Sequence, residues 1–81
     1  MPPTQVVQTV DTRGMLCPMP VVMVNRAMRY LQPGELVKLL ATDGGACQDV
    51  PAWADDTGNE LLESGEEDGV LFFLLRKGDD D

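Results

Sequence analysis

The chain changes from strand to helix within ten residues, Asp11-Thr12-Arg13-Gly14-Met15-Leu16-Cys17-Pro18-Met19-Pro20. The polar first half of this stretch follows a β-branched run, Gln5–Val10, which predicts a first strand ending at a turn. Proline is favoured in the first turn of a helix, where backbone N–H groups have no partner within the helix. We therefore predict a first helix that begins at Pro18, runs to Leu31 and has Cys17 as its N-cap residue.

Three further strands and a second helix are predicted downstream. Apolar and turn patterns predict a strand, a helix and two closing strands, in that order, at Leu36–Ala41, Cys47–Thr57, Glu60–Glu66 and Val70–Lys77. The last two strands form a hairpin through Asp68-Gly69, a pair that suits two-residue turns. Because a strand–helix–strand crossover leaves its strands parallel, the order βαβαββ predicts a two-layer α/β sandwich, with two helices on one face of a four-stranded mixed sheet. Both strand-to-helix turns, with Cys17 and Cys47, then lie near one edge of that sheet.

The composition indicates one small acidic domain. Its 81 residues leave no room for a second core, so we assign residues 1–78 to a single domain and 79–81 to a disordered acidic tail. With 6 basic and 14 acidic residues the net charge is −8, which phosphate backbones repel and which argues against direct nucleic-acid binding. The same charge favours partners with a basic docking surface, and the small core favours a monomer.

The N-terminal residues lack the features of a targeting segment. Met1-Pro2-Pro3-Thr4-Gln5 has neither the basic nor the apolar region of a signal peptide. No apolar run is long enough to cross a membrane, so no membrane partner is expected. We therefore predict a cytoplasmic protein, in which the two cysteines are kept reduced.

Cys17 is the candidate reactive group of the chain. As an N-cap residue it would lie at the positive end of the helix dipole, which lowers the pKa of a thiol and favours the thiolate. The chain has no histidine, which excludes a Cys–His hydrolase, and no Cys-x-x-Cys pair, which argues against a thioredoxin-type oxidoreductase. Two distant cysteines also make a poor zinc site, so no metal is expected. The chemistry that remains is a thiol that accepts a group from one protein and hands it to another.

The ten residues around Cys17 resemble the Cys-Pro-x-Pro signature of the TusA-like (SirA-like) sulfur-carrier family. The resemblance extends from about Val6 to Gly78. It includes Gln32-Pro33-Gly34-Glu35, Ala41-Thr42-Asp43, Asp49-Val50-Pro51-Ala52-Trp53, Gly58, Glu60-Leu61 and Leu75-Arg76-Lys77. The fold of that family is the same βαβαββ sandwich.

The resemblance implies a sulfur carrier, a component of sulfurtransferase systems more than an enzyme with its own turnover. By that resemblance Cys17 takes sulfane sulfur as a persulfide from a cysteine desulfurase or a rhodanese-like protein. It then releases the sulfur to an acceptor protein thiol, with no metal or organic cofactor. The end uses in the family are tRNA thiolation, molybdenum-cofactor assembly and oxidative sulfur metabolism. A thiolate is the attacking species that such an exchange needs.

Four neighbours of Cys17 are predicted to support it. Gly14, Pro18 and Pro20 form a turn that holds the thiol on a stiff mount. Arg13 is either an anion partner for the sulfur, a docking charge, or only an exposed arginine of the turn.

The first helix is predicted to have a core face and a docking face. The core face is made by Val21, Val24, Met28 and Leu31, and the opposite, partner-docking face by Met19, Met23, Arg26 and Tyr30. Methionine adapts to varied contacts, and the docking face begins beside the thiol. The alternative is a scatter of exposed apolar residues, which is common on protein surfaces.

Cys47 lies outside the family signature and leaves a second function open. It is either a small, partly buried residue or a resolving thiol that expels hydrosulfide from a Cys17 persulfide by forming a disulfide. A disulfide requires the two Cα atoms to lie within about 7 Å. In that alternative, Cys17 and Cys47 form the redox switch of a regulatory module. A third hypothesis, a nucleic-acid-binding α/β module, is opposed by the net charge.

Overall fold

The computed structural model describes residues 6–78, with Cys47 described by its backbone alone. These residues form two helices and a four-stranded sheet, in the order β1 (Val6–Thr12), α1 (Met19–Met28), β2 (Leu36–Ala41), α2 (Ala46–Thr57), β3 (Glu60–Glu67) and β4 (Val70–Arg76). The strands lie in the order β1-β2-β4-β3, with β1 parallel to β2 and the other neighbours antiparallel. The predicted α/β sandwich with a mixed sheet is confirmed.

Residues 1–5 and 79–81 are not described by the structure. The predicted acidic tail at positions 79–81 and the first five residues lie outside the described residues, so the tail stays a prediction. Within residues 6–78, neither helix is long and apolar enough to cross a membrane.

The core lies between the helices and one face of the sheet. Alternate residues of β2 are fully buried, since this strand has a neighbour on each side. The helices bury Val24, Ala27, Met28, Val50, Trp53 and Ala54 against the sheet. Trp53 also donates a hydrogen bond from Nε1 to Oδ1 of Asn25 at 3.1 Å, which ties α2 to α1. The side chains that fix the positions of both helices are therefore mostly apolar and buried. Removal of apolar surface from water is the main favourable term in folding.

The turn between β3 and β4 is made by two residues. Asp68 and Gly69 both have positive φ, at 52° and 80°, as a type I′ turn requires. Glu67 pairs with Val70 directly beside the turn. The predicted Asp68-Gly69 hairpin is confirmed.

α1 begins later than predicted. Its first residue is Met19 and its N-cap residue is Pro18, so the prediction of Cys17 as the N-cap residue is wrong. The Met19 N–H donates to the Leu16 carbonyl at 2.9 Å, and this turn leaves Cys17 ahead of the helix. The Cys17–Pro18 peptide bond is cis.

α1 also ends earlier than the predicted Leu31. The N–H groups of the next three residues, Arg29, Tyr30 and Leu31, bond to carbonyls three positions back. Such bonds tighten the chain at the end of a helix and stop its regular progress. The predicted bounds of β2 are confirmed, and those of α2, β3 and β4 differ from the structure by one residue at one end.

β1 runs two residues further than predicted. Asp11 and Thr12 pair with Leu40 and Ala41 of β2, so they belong to the sheet and not to the turn. Thr12 is fully buried, and its hydroxyl donates to the Leu40 carbonyl at 2.5 Å. This extension brings the chain to the edge of the sheet at which Cys17 follows.

Candidate functional site

Cys17 lies where β1 and β2 end side by side. Thr12 pairs with Ala41 at this edge, so the loops that follow the two strands are neighbours. The Cys17 N–H donates to Asp43 Oδ2 at 2.6 Å and thereby joins one loop to the other. The prediction that both strand-to-helix turns lie at one edge of the sheet is confirmed.

The thiol of Cys17 contacts α2. Sγ donates a hydrogen bond to Asp49 Oδ2 at 2.5 Å, and Asp49 lies in the first turn of that helix. Cys17 is exposed, whereas Asp49 is half-buried. A reagent or a partner can therefore reach the sulfur, although the thiol donates a hydrogen bond to a carboxylate.

The electrostatic environment of Cys17 differs from the prediction. The hydrogen bond to Asp49 raises the pKa of the Cys17 thiol; partial desolvation and the negative charges of Asp49 and Asp43 act in the same direction. The expected lowering by the helix dipole was based on Cys17 at the N-cap position, which Pro18 occupies. The nearby carboxylates thus favour the thiol over the thiolate in the free protein.

Gly14 and Gly45 lie in the two loops that meet at Cys17. Gly14 has a φ of 84°, which favours glycine, and its N–H donates to Thr42 Oγ1 at 2.8 Å. A Cβ at Gly45 would lie 3.4 Å from the Cβ of Cys17. The predicted role of Gly14 as a turn residue agrees with this geometry, whereas Gly45 was not among the predicted site residues.

Arg13 is paired with Asp11. Its Nε and Nη2 donate to the two carboxylate oxygens of Asp11 at 2.9 Å and 2.8 Å, and both side chains are exposed. The Arg13 N–H also donates to Asp11 Oδ1 at 3.1 Å. These hydrogen bonds lower the pKa of the Asp11 carboxyl. The guanidinium is thus engaged with the end of β1, and the suggested roles of Arg13 as an anion partner or docking charge stay predictions.

The predicted docking face of α1 is only partly exposed. Tyr30 and Met19 are 84% and 39% exposed, and Arg26 is exposed as well. Met23 differs, because it is half-buried and packs against the core cluster. Met23, Arg26 and Tyr30 nevertheless line one open groove of about 310 Å³ between α1 and β1.

Two exposed apolar residues, one next to Cys17 in the chain and one on α1, were not assigned from the sequence. Leu16, directly before Cys17, is 73% exposed, and Val22 on α1 is 38% exposed. Of the two prolines predicted to support Cys17, Pro20 is fully buried in the first turn of α1, whereas Pro18 is exposed. The exposed apolar side chains of this loop and of the first half of α1 therefore include Leu16 and Val22 in addition to Met19.

Asp43 and Asp49 are the polar site residues that sequence reasoning did not assign. They are 26 and 32 positions from Cys17 along the chain. The signal that points to them is the parallel pairing of the first two strands, which brings the start of the second helix to the loop that holds Cys17. Cys47 lies in the same part of α2, but its side chain is outside the described residues, so its role as a resolving thiol stays a prediction.

Comparison with known proteins finds relatives over nearly the whole chain. The family model described as sulfurtransferase TusA matches residues 8–77. The chain is 39% identical over 71 residues to the putative sulfur carrier protein YrkI of Bacillus subtilis, covering 88% of this chain and 95% of that protein. It is 39% identical over 70 residues to the sulfur carrier protein TusA of Allochromatium vinosum, covering 86% and 92%.

A solved structure has the same fold. The SirA-like protein of Desulfitobacterium hafniense superimposes with a TM-score of 0.72 at 28% sequence identity. The match covers 89% of this chain and 99% of that one, so the similarity extends over the whole sandwich and not over one motif.

Proposed function

The chain belongs to the TusA sulfurtransferase family, and we propose that it carries sulfane sulfur as a persulfide on Cys17 and relays it to an acceptor protein thiol. The observation that supports this most directly is the exposed Cys17 thiol, which is anchored through its backbone to Asp43 and through its sulfur to Asp49. A carrier needs a sulfur that two different proteins can reach in turn, and an exposed thiol at the edge of a rigid sheet meets that need.

The proposed transfer is an exchange at sulfur in two steps. First, the Cys17 thiolate attacks the terminal sulfur of a donor persulfide; the donor S–S bond breaks, a Cys17 persulfide forms, and the electron pair leaves on the donor thiolate. Second, an acceptor thiolate attacks the terminal sulfur of the Cys17 persulfide, which forms the acceptor persulfide and restores the Cys17 thiolate. One S–S bond forms and one breaks in each step, so neither step requires an external oxidant or a cofactor.

The partners proposed are a donor, either a cysteine desulfurase or a rhodanese-like protein, and an acceptor with a reactive cysteine. The net charge of −8 favours a basic surface on both, and Arg26 and Tyr30 beside Met23 offer a groove for contact. Tyrosine and arginine are enriched at sites of tight protein contact, and methionine adapts its shape to different partners. The end pathway, the cytoplasmic location and the monomeric state stay predictions.

Intact-mass spectrometry of three proteins tests the proposal. Wild type, Cys17→Ser and Cys47→Ser are incubated with a cysteine desulfurase and cysteine, and separately with thiosulfate or polysulfide. We expect wild type and Cys47→Ser to gain one sulfur atom, while Cys17→Ser gains none.

Two other outcomes would decide against the persulfide. A gain of a sulfonate-bearing adduct alone would indicate thiosulfate-derived cargo instead. If wild type forms no adduct and loses two hydrogen atoms to an internal disulfide, the carrier proposal fails and the redox switch of Cys17 and Cys47 replaces it.

A further inference from the structure

Two carboxylates from different segments hold Cys17, and they hold different atoms. Asp43, in the loop after β2, accepts the backbone N–H of Cys17 with one carboxylate oxygen and the N–H of Gly45 with the other. Asp49, on α2, accepts a hydrogen bond from the thiol itself. The first contact fixes the loop, and the second fixes the direction and protonation of the reactive atom.

We propose that Asp49 is a positioning residue for Cys17, which orients the sulfur and keeps it as a thiol in the free carrier. The proposal deepens the proposed function and rests on it for the role of Cys17 as a sulfur carrier. Its test does not depend on sulfur transfer. A carboxylate that accepts a hydrogen bond from S–H loses this bond when the thiol ionises. It then faces a second negative charge, that of the thiolate. Asp49 therefore opposes formation of the thiolate, the form that reacts with disulfides, alkylating agents and oxidants.

The other charged groups around Cys17 do not offset this effect. Asp43 adds a second negative charge from the loop after β2. Arg13 is the one cationic residue of the loop that carries Cys17, and it is paired with Asp11. The first turn of α1 has no acidic residue, and the basic residue Arg26 lies in the last turn of that helix. Asp49 is thus the group whose removal should most favour the thiolate.

This arrangement suits a carrier that must wait between partners. A thiol reacts slowly with the small oxidants and electrophiles of a cell, whereas a thiolate reacts readily. Holding the sulfur in the thiol form limits side reactions in the free protein, and the fixed direction of Sγ prepares it for attack once a base removes the proton.

The test is the pH dependence of Cys17 alkylation by iodoacetamide. All proteins carry Cys47→Ser, so that Cys17 is the only cysteine present. Removing the carboxylate in Asp49→Asn should lower the midpoint of the pH–rate profile by about 1 unit. The rate at pH 7 should rise about threefold and not tenfold, because a thiolate of lower pKa is also a weaker nucleophile.

Three variants separate positioning from a purely structural role. Asp49→Glu restores a carboxylate and should return the midpoint towards the wild-type value. Asp56→Asn removes an exposed charge from the same helix and should leave the profile unchanged. Asp49→Ser, a neutral residue that suits the start of a helix, replaces Asp49→Asn if circular dichroism finds that variant unfolded.

An unchanged or raised midpoint in folded Asp49→Asn or Asp49→Ser would overturn the proposal, and so would an equal fall in Asp56→Asn. Alkylation needs no sulfur donor. A negative result here therefore leaves the mass test of persulfide formation intact, and failure of that mass test leaves this pH profile intact.

Discussion

The turn between β3 and β4 and the loop between β1 and α1 both depend on a glycine with positive φ, Gly69 at 80° and Gly14 at 84°. The hairpin turn is made by adjacent residues. The loop is instead held by Thr42, Asp43 and Asp49, which lie 26 to 32 positions away from the residues they bond. A turn that only reverses the chain can thus be encoded locally, whereas the loop that carries Cys17 takes its geometry and charge from a second segment.

The largest expected effect comes from a residue that supports both regions. Leu39 is fully buried in β2, the strand that lies between β1 and β4. Leu39→Ala should lower the free energy of unfolding by about 2–5 kcal/mol, because it removes apolar burial and leaves a cavity. Urea denaturation measures this loss. Leu62→Ala on β3, where the side chain is 42% exposed, is the matched control and should change the value by less than about 0.5 kcal/mol. Equal losses in the two variants would contradict the assignment of the core.

A pair of glycine substitutions separates the two regions. Gly69→Ala and Gly14→Ala should each cost about 1–2 kcal/mol of stability, since alanine is strained at positive φ. Only Gly14→Ala should also change the rate of Cys17 alkylation, because it moves the loop that holds the sulfur. Thermal unfolding and iodoacetamide labelling of the same samples measure both effects.

Gly44→Ala is the control for that pair, since Gly44 lacks the positive φ of the other two glycines and a Cβ there would meet no atom within 4 Å. Its stability should match wild type. An equal change in Cys17 alkylation in Gly69→Ala and Gly14→Ala would show that the two regions are not independent.

The smallest effect is expected from the ion pair between Asp11, at the end of β1, and Arg13 in the loop that follows. Asp11→Asn breaks the pair with Arg13, but both side chains are exposed, so the unfolding free energy near pH 7 should hardly change. Hydrogen bonds from Arg13 lower the pKa of Asp11 in the folded state. A lowered carboxyl pKa stabilises the fold above the unfolded pKa, and this contribution disappears as the pH falls through the folded pKa.

Urea denaturation at neutral and acidic pH measures the difference between wild type and Asp11→Asn. Arg13→Ala should behave like Asp11→Asn, and the double variant should add nothing further, because both substitutions remove one interaction. A difference that grows in acid would mean that the ion pair is not its source.

The parts of the molecule that were predicted correctly depend on short-range patterns. The apolar run Leu36–Ala41 identified β2 with both ends correct, and Asp68-Gly69 identified the hairpin. The parallel pairing of β1 and β2 followed from the crossover rule and led to the shared sheet edge. The resemblance around Cys17 identified the family to which the chain belongs.

The incorrect predictions concern residues whose state depends on distant partners. Cys17 was taken as the N-cap of the first helix, but the turn from Leu16 to Met19 moves the start of α1 past it. Met23 was assigned to the exposed face, but the packing of α1 beside β1 half-buries it. Neither outcome can be read from helical spacing, because both depend on where the helix starts and how it lies on the sheet.

The sequence by itself determined the fold class and the family and led to the proposal that Cys17 is the reactive sulfur, because patterns of apolar residues, turn pairs and a short motif are written in neighbouring positions. Only the tertiary structure decided which charges surround that sulfur and shift the pKa of its thiol. The pKa of a thiol depends on charges within a few ångströms, whatever their separation along the chain. Here the decisive charges belong to Asp43 and Asp49, which reach Cys17 because two parallel strands end at the same edge of the sheet.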